Sequence, residues 1–310
     1  MDLTGVYPPI PTPFSSETGA IDLQALTSNT DRWLTSRVRG LVLLGSNGEA
    51  PLVDEVESDT LIDTVRSRVP TTRLVIAGTG RESTRATVDA SRRAAALGVD
   101  GVLVRTPSFF KPQMSNQVFI DHYRAVADGS PAPVILYNFT SLTGVTLPVD
   151  VVVTLAEHPN IIGIKESGPD IGFVSALVDQ TPDDFGVLVG SAPTFYASLV
   201  SGAVGGILAL AAVMPDQCVE LFDLVRSQRF SEARLLQGRL SPLARLVTRT
   251  NGVPGLKAAL DQVGYYGGPP RPPLRPVSSE TVRELSRALL EFGALVGDGK
   301  PIEPLSSEHF

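Results

Sequence analysis

The feature that most restricts this chain is a regular alternation: short, nearly unbroken apolar runs return roughly every 25 to 35 residues, each followed by a Gly/Ser/Pro-rich break and a longer amphipathic stretch. The runs lie at 5–10, 40–44, 74–77, 101–104, 134–137, 161–164, 186–189 and 204–208, which gives eight strand candidates. Helical patterns at 22–35, 54–68, 83–97, 116–127, 148–156, 171–179 and 193–200 fill the intervals. Apolar strands without polar alternation belong to a sheet covered on both faces, and strict strand–helix order implies parallel pairing. Eight such units within about 200 residues predict an α/β fold of the (β/α)8 TIM-barrel type rather than an open doubly wound sheet. A dinucleotide site does not fit, because Gly78-Thr79-Gly80 is followed by Ser83 where the third glycine would stand.

Beyond residue 210 the pattern turns helical, at 216–227, 231–248, 253–263 and 279–292. The expected organisation is a catalytic barrel over 1–210, a C-terminal helical extension packed on it over 211–296, and a mobile tail over 297–310. Residues 267–276, GGPPRPPLRP, resemble a polyproline II ligand for an SH3-type groove. The favoured reading is a stiff connector docked on the protein's own surface, since the chain carries no other signalling feature.

Composition narrows the function classes. The net charge is −7 and the basic residues are dispersed, which argues against a nucleic-acid partner. No apolar run approaches the roughly 18 residues of a membrane helix, so no membrane partner is expected. The opening MDLTGVYPPIPTPF reads as neither a signal nor a transit peptide. A lone cysteine, Cys218, has the spacing of a helix residue facing a core, and a reducing, cytoplasmic location follows. The three histidines, His122, His158 and His309, are scattered singly, so no metal site is expected.

In a barrel, reacting groups come from the C-terminal ends of the strands and the loops after them. The sixth run ends in Lys165, within GIKES, and lysine is scarce: 4 against 22 arginines. An ammonium at the end of an apolar strand loses hydration, which favours a neutral amine able to form a Schiff base with a ketone. Position alone equally allows a lysine that caps a strand and reaches solvent. The fifth run ends in Tyr137-Asn138, one strand away, so the phenol can enter the same mouth and shuttle protons or simply plug the barrel top. The second run ends in Gly45-Ser46-Asn47-Gly48-Glu49, where two glycines let the backbone approach a carboxylate, or merely make a turn.

GSNGE, YN and GIKES in this order resemble the Schiff-base aldolase and lyase family that includes dihydrodipicolinate synthase and N-acetylneuraminate lyase. The likeness runs over essentially the whole chain, from Gly5-Val6-Tyr7-Pro8-Pro9 to the helical extension. Within the family, GSNGE, KESG, GAVGGILAL at 202–210, GVPGLK at 252–257 and GYYGGP at 264–269 are most similar to the 4-hydroxy-2-oxoglutarate aldolases. The resemblance implies Lys165 as the Schiff-base lysine, Tyr137 as proton shuttle, and Ser46 and Asn47 as holders of the pyruvyl carboxylate. Ser167, Gly190 and the backbone of Ile207 would line the rest of the pocket. It also implies no metal or organic cofactor, a small 2-oxo acid such as pyruvate as partner, and a homo-oligomer, usually a tetramer.

Departures bear on the subtype. The synthases have two threonines where Ser46 and Asn47 stand, a tyrosine crossing a subunit contact where Phe109 stands, and a carboxylate-binding arginine in the stretch that here carries Leu142. A leucine cannot make the bidentate carboxylate contact. The expected activity is therefore cleavage of a 4-hydroxy-2-oxo acid, 4-hydroxy-2-oxoglutarate first, to pyruvate and an aldehyde such as glyoxylate. A 2-keto-3-deoxy sugar acid aldolase and a dihydrodipicolinate synthase are the alternatives. From another class, a non-catalytic 2-oxo-acid-binding barrel is possible, and the retained Lys165 and Tyr137 argue against it.

Overall fold

A computed structural model describes residues 1–295. The tail expected over 297–310 lies outside the described residues. Eight strands form one parallel sheet: β1 (Gly5–Tyr7), β2 (Gly40–Leu43), β3 (Leu74–Gly78), β4 (Gly101–Arg105), β5 (Val134–Asn138), β6 (Ile161–Glu166), β7 (Gly186–Val189) and β8 (Gly205–Ile207). Their order is sequential around the sheet, with β8 beside β1, as a TIM barrel requires. The remaining seam closes through single bonds: Arg39 N donates to Val6 O at 2.9 Å, Val42 N to Pro8 O at 3.1 Å and Ile10 N to Val42 O at 2.9 Å. Pro8 and Pro9 have no N–H to give a ladder, which is why β1 ends at Tyr7 rather than at residue 10.

The strands divide their side chains by the period of two. Val42, Ile76, Leu103, Ile135, Tyr137, Leu188 and Ile207 pack inside the barrel. Leu41, Leu43, Val75, Ala77, Val102, Val104, Leu136 and Val187 belong to the second core, between sheet and helices. Both faces are thus buried, which is the physical content of the unbroken apolar runs. The helices begin at side-chain caps on Asp22, Asp54, Ser83, Ser115 and Asp170, and Asp54 completes a capping box with Glu57.

After β8, the helix Pro215–Arg226 packs on β1 and on Phe195–Val200, which gives the eighth strand its outer helix. Phe230–Ala244, Gly252–Gln262 and Ser279–Phe292 follow. The helix expected over 231–248 changes at Arg245–Thr250 to a π segment, three residues after Pro242, whose ring nitrogen cannot donate within the helix. The proline-rich connector docks on the barrel through Arg271. Its guanidinium makes two 2.6 Å bonds to Glu57, donates to Leu52 O and Gly19 O at 2.8 Å, and lies 4.1 Å from the Phe14 ring centroid.

Candidate active site

Strand register decides where the scarce lysine points. Tyr137 on β5 pairs with Lys165 on β6, which pairs with Leu188 on β7. Paired residues of parallel strands face the same side, and both flanking side chains are in the barrel interior. Lys165 is therefore an inward residue at the C-terminal end of its strand, only 5% exposed. Its ammonium sits 4.2 Å from the centroid of the Tyr137 ring. Among the described residues no carboxylate lies within ion-pair distance of it. A nitrogen so placed is desolvated and faces an aromatic surface, and no bound counter-ion must be displaced before it reacts.

The Tyr137 hydroxyl lies 3.2 Å from Ser46 Oγ, which links the end of β5 to the turn after β2. Phe139 stacks on the Tyr137 ring at 5.9 Å and limits its rotation. Ser46–Gly48 forms a single 3-10 turn, entered through Leu44 at φ 53° and left through Glu49 at φ 57°. Positive φ at two non-glycine residues is uncommon and needs support. Part of it is Gly78, at which a Cβ would lie 1.9 Å from Leu44 O. Thr12 Oγ1 donates to Gly48 O at 2.7 Å, and the buried Glu49 carboxylate accepts from Lys257 Nζ at 2.6 Å and Arg271 N at 2.8 Å. Asn47 is half-buried on this turn, and its side chain makes no hydrogen bond among the described residues.

Behind the lysine, Asn138 Nδ2 donates to Glu166 Oε2 at 2.6 Å, and Asn138 Oδ1 accepts from Leu147 N at 3.0 Å. Burial raises the Glu166 carboxyl above its usual range, against the opposing pull of the Gly168 amide and Asn138. Ser167 N donates to Asn138 O at 3.0 Å and Gly190 N to Glu166 O at 2.7 Å, so three strand ends are tied together here. A Cβ on Gly190 would fall 2.0 Å from Ser167 Oγ and 3.0 Å from Lys165 Cε.

Lys165, Tyr137 and Ser46 therefore meet in one mouth, and Ser167 and Gly190 adjoin the lysine. Ile207 packs in the same interior cluster as Tyr137, paired across the sheet with Tyr7. Asn47 shares the turn of Ser46 without touching the others. Sequence reasoning gave Asn138, Glu166 and Lys257 no role. Asn138 and Glu166 were visible as polar residues closing apolar strands, but the pairing of Glu49 with Lys257, 208 residues away, left no local signal. Leu142, on the short helix Thr140–Thr143 after β5, is 62% exposed.

Residues 2–291 match the model of the dihydrodipicolinate synthetase family. The 4-hydroxy-tetrahydrodipicolinate synthase of Methanopyrus kandleri is 36% identical over 303 residues, covering 96% of this chain and 99% of that protein. The probable mitochondrial 4-hydroxy-2-oxoglutarate aldolase of Emericella nidulans is 35% identical over 292 residues, covering 93% of this chain and 94% of that protein. Among solved structures, dihydrodipicolinate synthase from Thermotoga maritima superposes with a TM-score of 0.89 at 32% identity, covering 94% of this chain and 98% of that one.

Proposed function

The chain belongs to the dihydrodipicolinate synthetase family, a family of carbon–carbon lyases, and within it we propose that this protein is a Schiff-base aldolase acting on 4-hydroxy-2-oxoglutarate. The observation that carries the mechanism is the desolvated Lys165 amine lying on Tyr137, whose hydroxyl meets Ser46. Lys165 Nζ attacks C2 of the 2-oxo acid, and the carbinolamine loses water with Tyr137 supplying and recovering the proton. The resulting iminium draws electrons from the C3–C4 bond as the C4 hydroxyl gives up its proton. Glyoxylate leaves, and an enamine remains on Lys165. Protonation at C3 and hydrolysis release pyruvate and the free amine. The iminium nitrogen is the electron sink, so the reaction as written calls on no metal or organic cofactor. Ser46 and Asn47 take the carboxylate next to the reacting ketone, and Ser167, Gly190 and Ile207 bound the remaining space.

The substrate choice rests on the Ser46-Asn47 pair, which stands where the synthases carry two threonines, and on the Emericella nidulans relative, which bears the aldolase name. The Methanopyrus kandleri relative bears the synthase name, so condensation of pyruvate with aspartate semialdehyde is the second reading. Phe109 and Phe110, both exposed on the loop after β4, supply an apolar surface in keeping with a homo-oligomer, a tetramer by family likeness.

Incubation with pyruvate followed by borohydride is expected to add the mass of a reduced pyruvyl group to Lys165, and Lys165→Ala to take none. An adduct that persists in that variant overturns the mechanism. Compared at equal enzyme, cleavage of 4-hydroxy-2-oxoglutarate is expected to outpace both semialdehyde condensation and 2-keto-3-deoxy sugar acid cleavage. Faster turnover of either rival overturns the substrate assignment.

A further inference from the structure

Glu166 follows Lys165 on β6, so its side chain leaves the opposite face of the strand, toward the helices. Its strand partners are Asn138 on β5 and Val189 on β7, and Val189 belongs to the core between sheet and helices. Glu166 is 5% exposed, and among the described residues no cation lies within ion-pair distance of its carboxylate. Burial opposes its ionisation, as does the charge of Asp170 at the start of Ile171–Gln180, while the Gly168 and Asn138 N–H groups favour it. A buried carboxylate without a cation is costly, and no step of the proposed reaction uses this one.

The bonds around the carboxylate form one chain of fixed polarity. Leu147 N donates to Asn138 Oδ1 at 3.0 Å, Asn138 Nδ2 donates to Glu166 Oε2 at 2.6 Å, and Gly168 N donates to Glu166 Oε1. Backbone N–H groups stand at both ends, and such a group can only donate. A side-chain amide offers one acceptor and one donor along the chain, so the remaining member must accept at both of its oxygens. An ionised carboxylate does this. A glutamine at 166 would turn its own donor against either Asn138 Nδ2 or Gly168 N. Gly168 is part of the fit, since a Cβ there would lie 2.7 Å from Glu166 Oε1.

This chain of bonds holds the turn beside the reacting amine. Ser167, next to the bonded Gly168, donates its own N–H to Asn138 O at 3.0 Å, and Gly190 N donates to Glu166 O at 2.7 Å. Ser167 Oγ and Lys165 Cε converge on Gly190, where a Cβ would lie 2.0 Å from the first and 3.0 Å from the second. We propose that Glu166 is a positioning residue for the chemistry of Lys165: its carboxylate, clamped between Asn138 and Gly168, holds Ser167 and the end of β6 in the geometry in which the amine reacts. The role rests on Lys165 being the Schiff-base lysine. A reacting group misplaced by about 1 Å loses up to about 10²-fold in rate, which is the scale on which the clamp acts.

Borohydride trapping of the pyruvate adduct, quenched at intervals and read by whole-protein mass, gives a rate at saturating pyruvate, a half-saturating concentration and a final extent of labelling. Glu166→Gln and Asn138→Leu are each expected to lower the saturating rate roughly tenfold or more, with the half-saturating concentration within about threefold and labelling still reaching one adduct per chain. The swapped pair, Asn138→Asp with Glu166→Gln, rebuilds the chain of bonds with the two-acceptor group on β5. Its rate is expected to return to within about threefold of the unaltered protein. Labelling that stops short in proportion to the lost rate, or a swapped pair no faster than Glu166→Gln, overturns the proposal. Should the single variants fail to fold, Gly168→Ala displaces the carboxylate alone and is expected to slow trapping roughly threefold or more, an unchanged rate being the adverse result. An unaltered protein that takes no adduct overturns the Schiff-base reading and this role with it. An adduct formed equally fast in the unaltered protein and in both single variants overturns the role of Glu166 alone.

Discussion

Gly190 follows β7 and lies beside Ser167 and the side chain of Lys165. A methyl group there would lie 2.0 Å from Ser167 Oγ, 2.9 Å from Ser167 Cβ and 3.0 Å from Lys165 Cε. The serine hydroxyl can rotate away, but its Cβ cannot, so the substitution must push either β7 or the lysine. Gly190→Ala is therefore expected to slow formation of the borohydride-trapped pyruvate adduct at least tenfold while the far-ultraviolet circular dichroism stays native. An adduct formed at the original rate would show that the gap at Gly190 is incidental. At this scale the sequence was informative where an amino-acid type is chemically irreplaceable. An arginine cannot stand in for a Schiff-base amine, so one lysine closing an apolar strand in an arginine-rich chain stood out. Asn138 and Glu166 did not stand out, because their importance comes from a 2.6 Å contact between two strands and not from any property of either residue alone.

Between the helices Thr84–Ala96 and Asn116–Gly129, His122 Nδ1 lies 2.9 Å from Thr84 Oγ1, with Nε2 buried and unpartnered. Burial pulls its pKa from 6.5 down to about 4, against a weaker upward pull from the Glu82 charge. The imidazole is thus neutral in the folded chain across a range in which the unfolded chain binds a proton. Between pH 6.5 and about 4, stability must fall as the pH falls, because the unfolded state gains a proton that the native state refuses. Relative to His122→Gln, the unaltered protein is expected to lose on the order of 2 kcal/mol more between pH 7 and pH 5 in urea denaturation. Parallel pH profiles for the two proteins would remove His122 from this role. Elements themselves were largely legible, since capping residues and apolar periodicity are local properties: the eight strands fall within the eight runs, apart from one-residue extensions at β3 to β5 and a two-residue extension at β6. What stayed hidden needed a partner or an exception. The barrel seam rests on carbonyls of a Val-Tyr-Pro-Pro stretch that cannot form a ladder, and the π segment follows a proline whose effect depends on its neighbours.

Across the whole molecule, one buried ion pair joins the C-terminal helices to the mouth of the barrel. Lys257, on Gly252–Gln262, is 1% exposed at its side chain, and Glu49, at the end of the Ser46–Gly48 turn, is 0% exposed. The ammonium also donates to Pro269 O at 2.8 Å and lies 4.5 Å from the Phe14 ring centroid, while the second carboxylate oxygen accepts from Arg271 N. Both charges are hydrogen-bonded, so the pair is tolerable in the interior, yet neither member can be left alone there. Burial pulls Lys257 toward the neutral form, and Glu49 is the main counterweight. Lys257→Met strands a carboxylate away from water and is expected to cost about 3–5 kcal/mol in urea denaturation. The double change Lys257→Met with Glu49→Gln removes the stranded charge and is expected to recover at least half of that loss. The two variants should then separate stability from function. Glu49 holds its left-handed backbone at φ 57° partly through this pair, and the Ser46-Asn47 turn ends on it. The double variant is therefore expected to fold, to form the Lys165 adduct at saturating pyruvate, and to show a KM for the 2-oxo acid raised about tenfold. A double variant with an unchanged KM would confine the pair to holding the helices on the barrel, and a double variant no more stable than Lys257→Met would show that its contribution lies in packing rather than in charge.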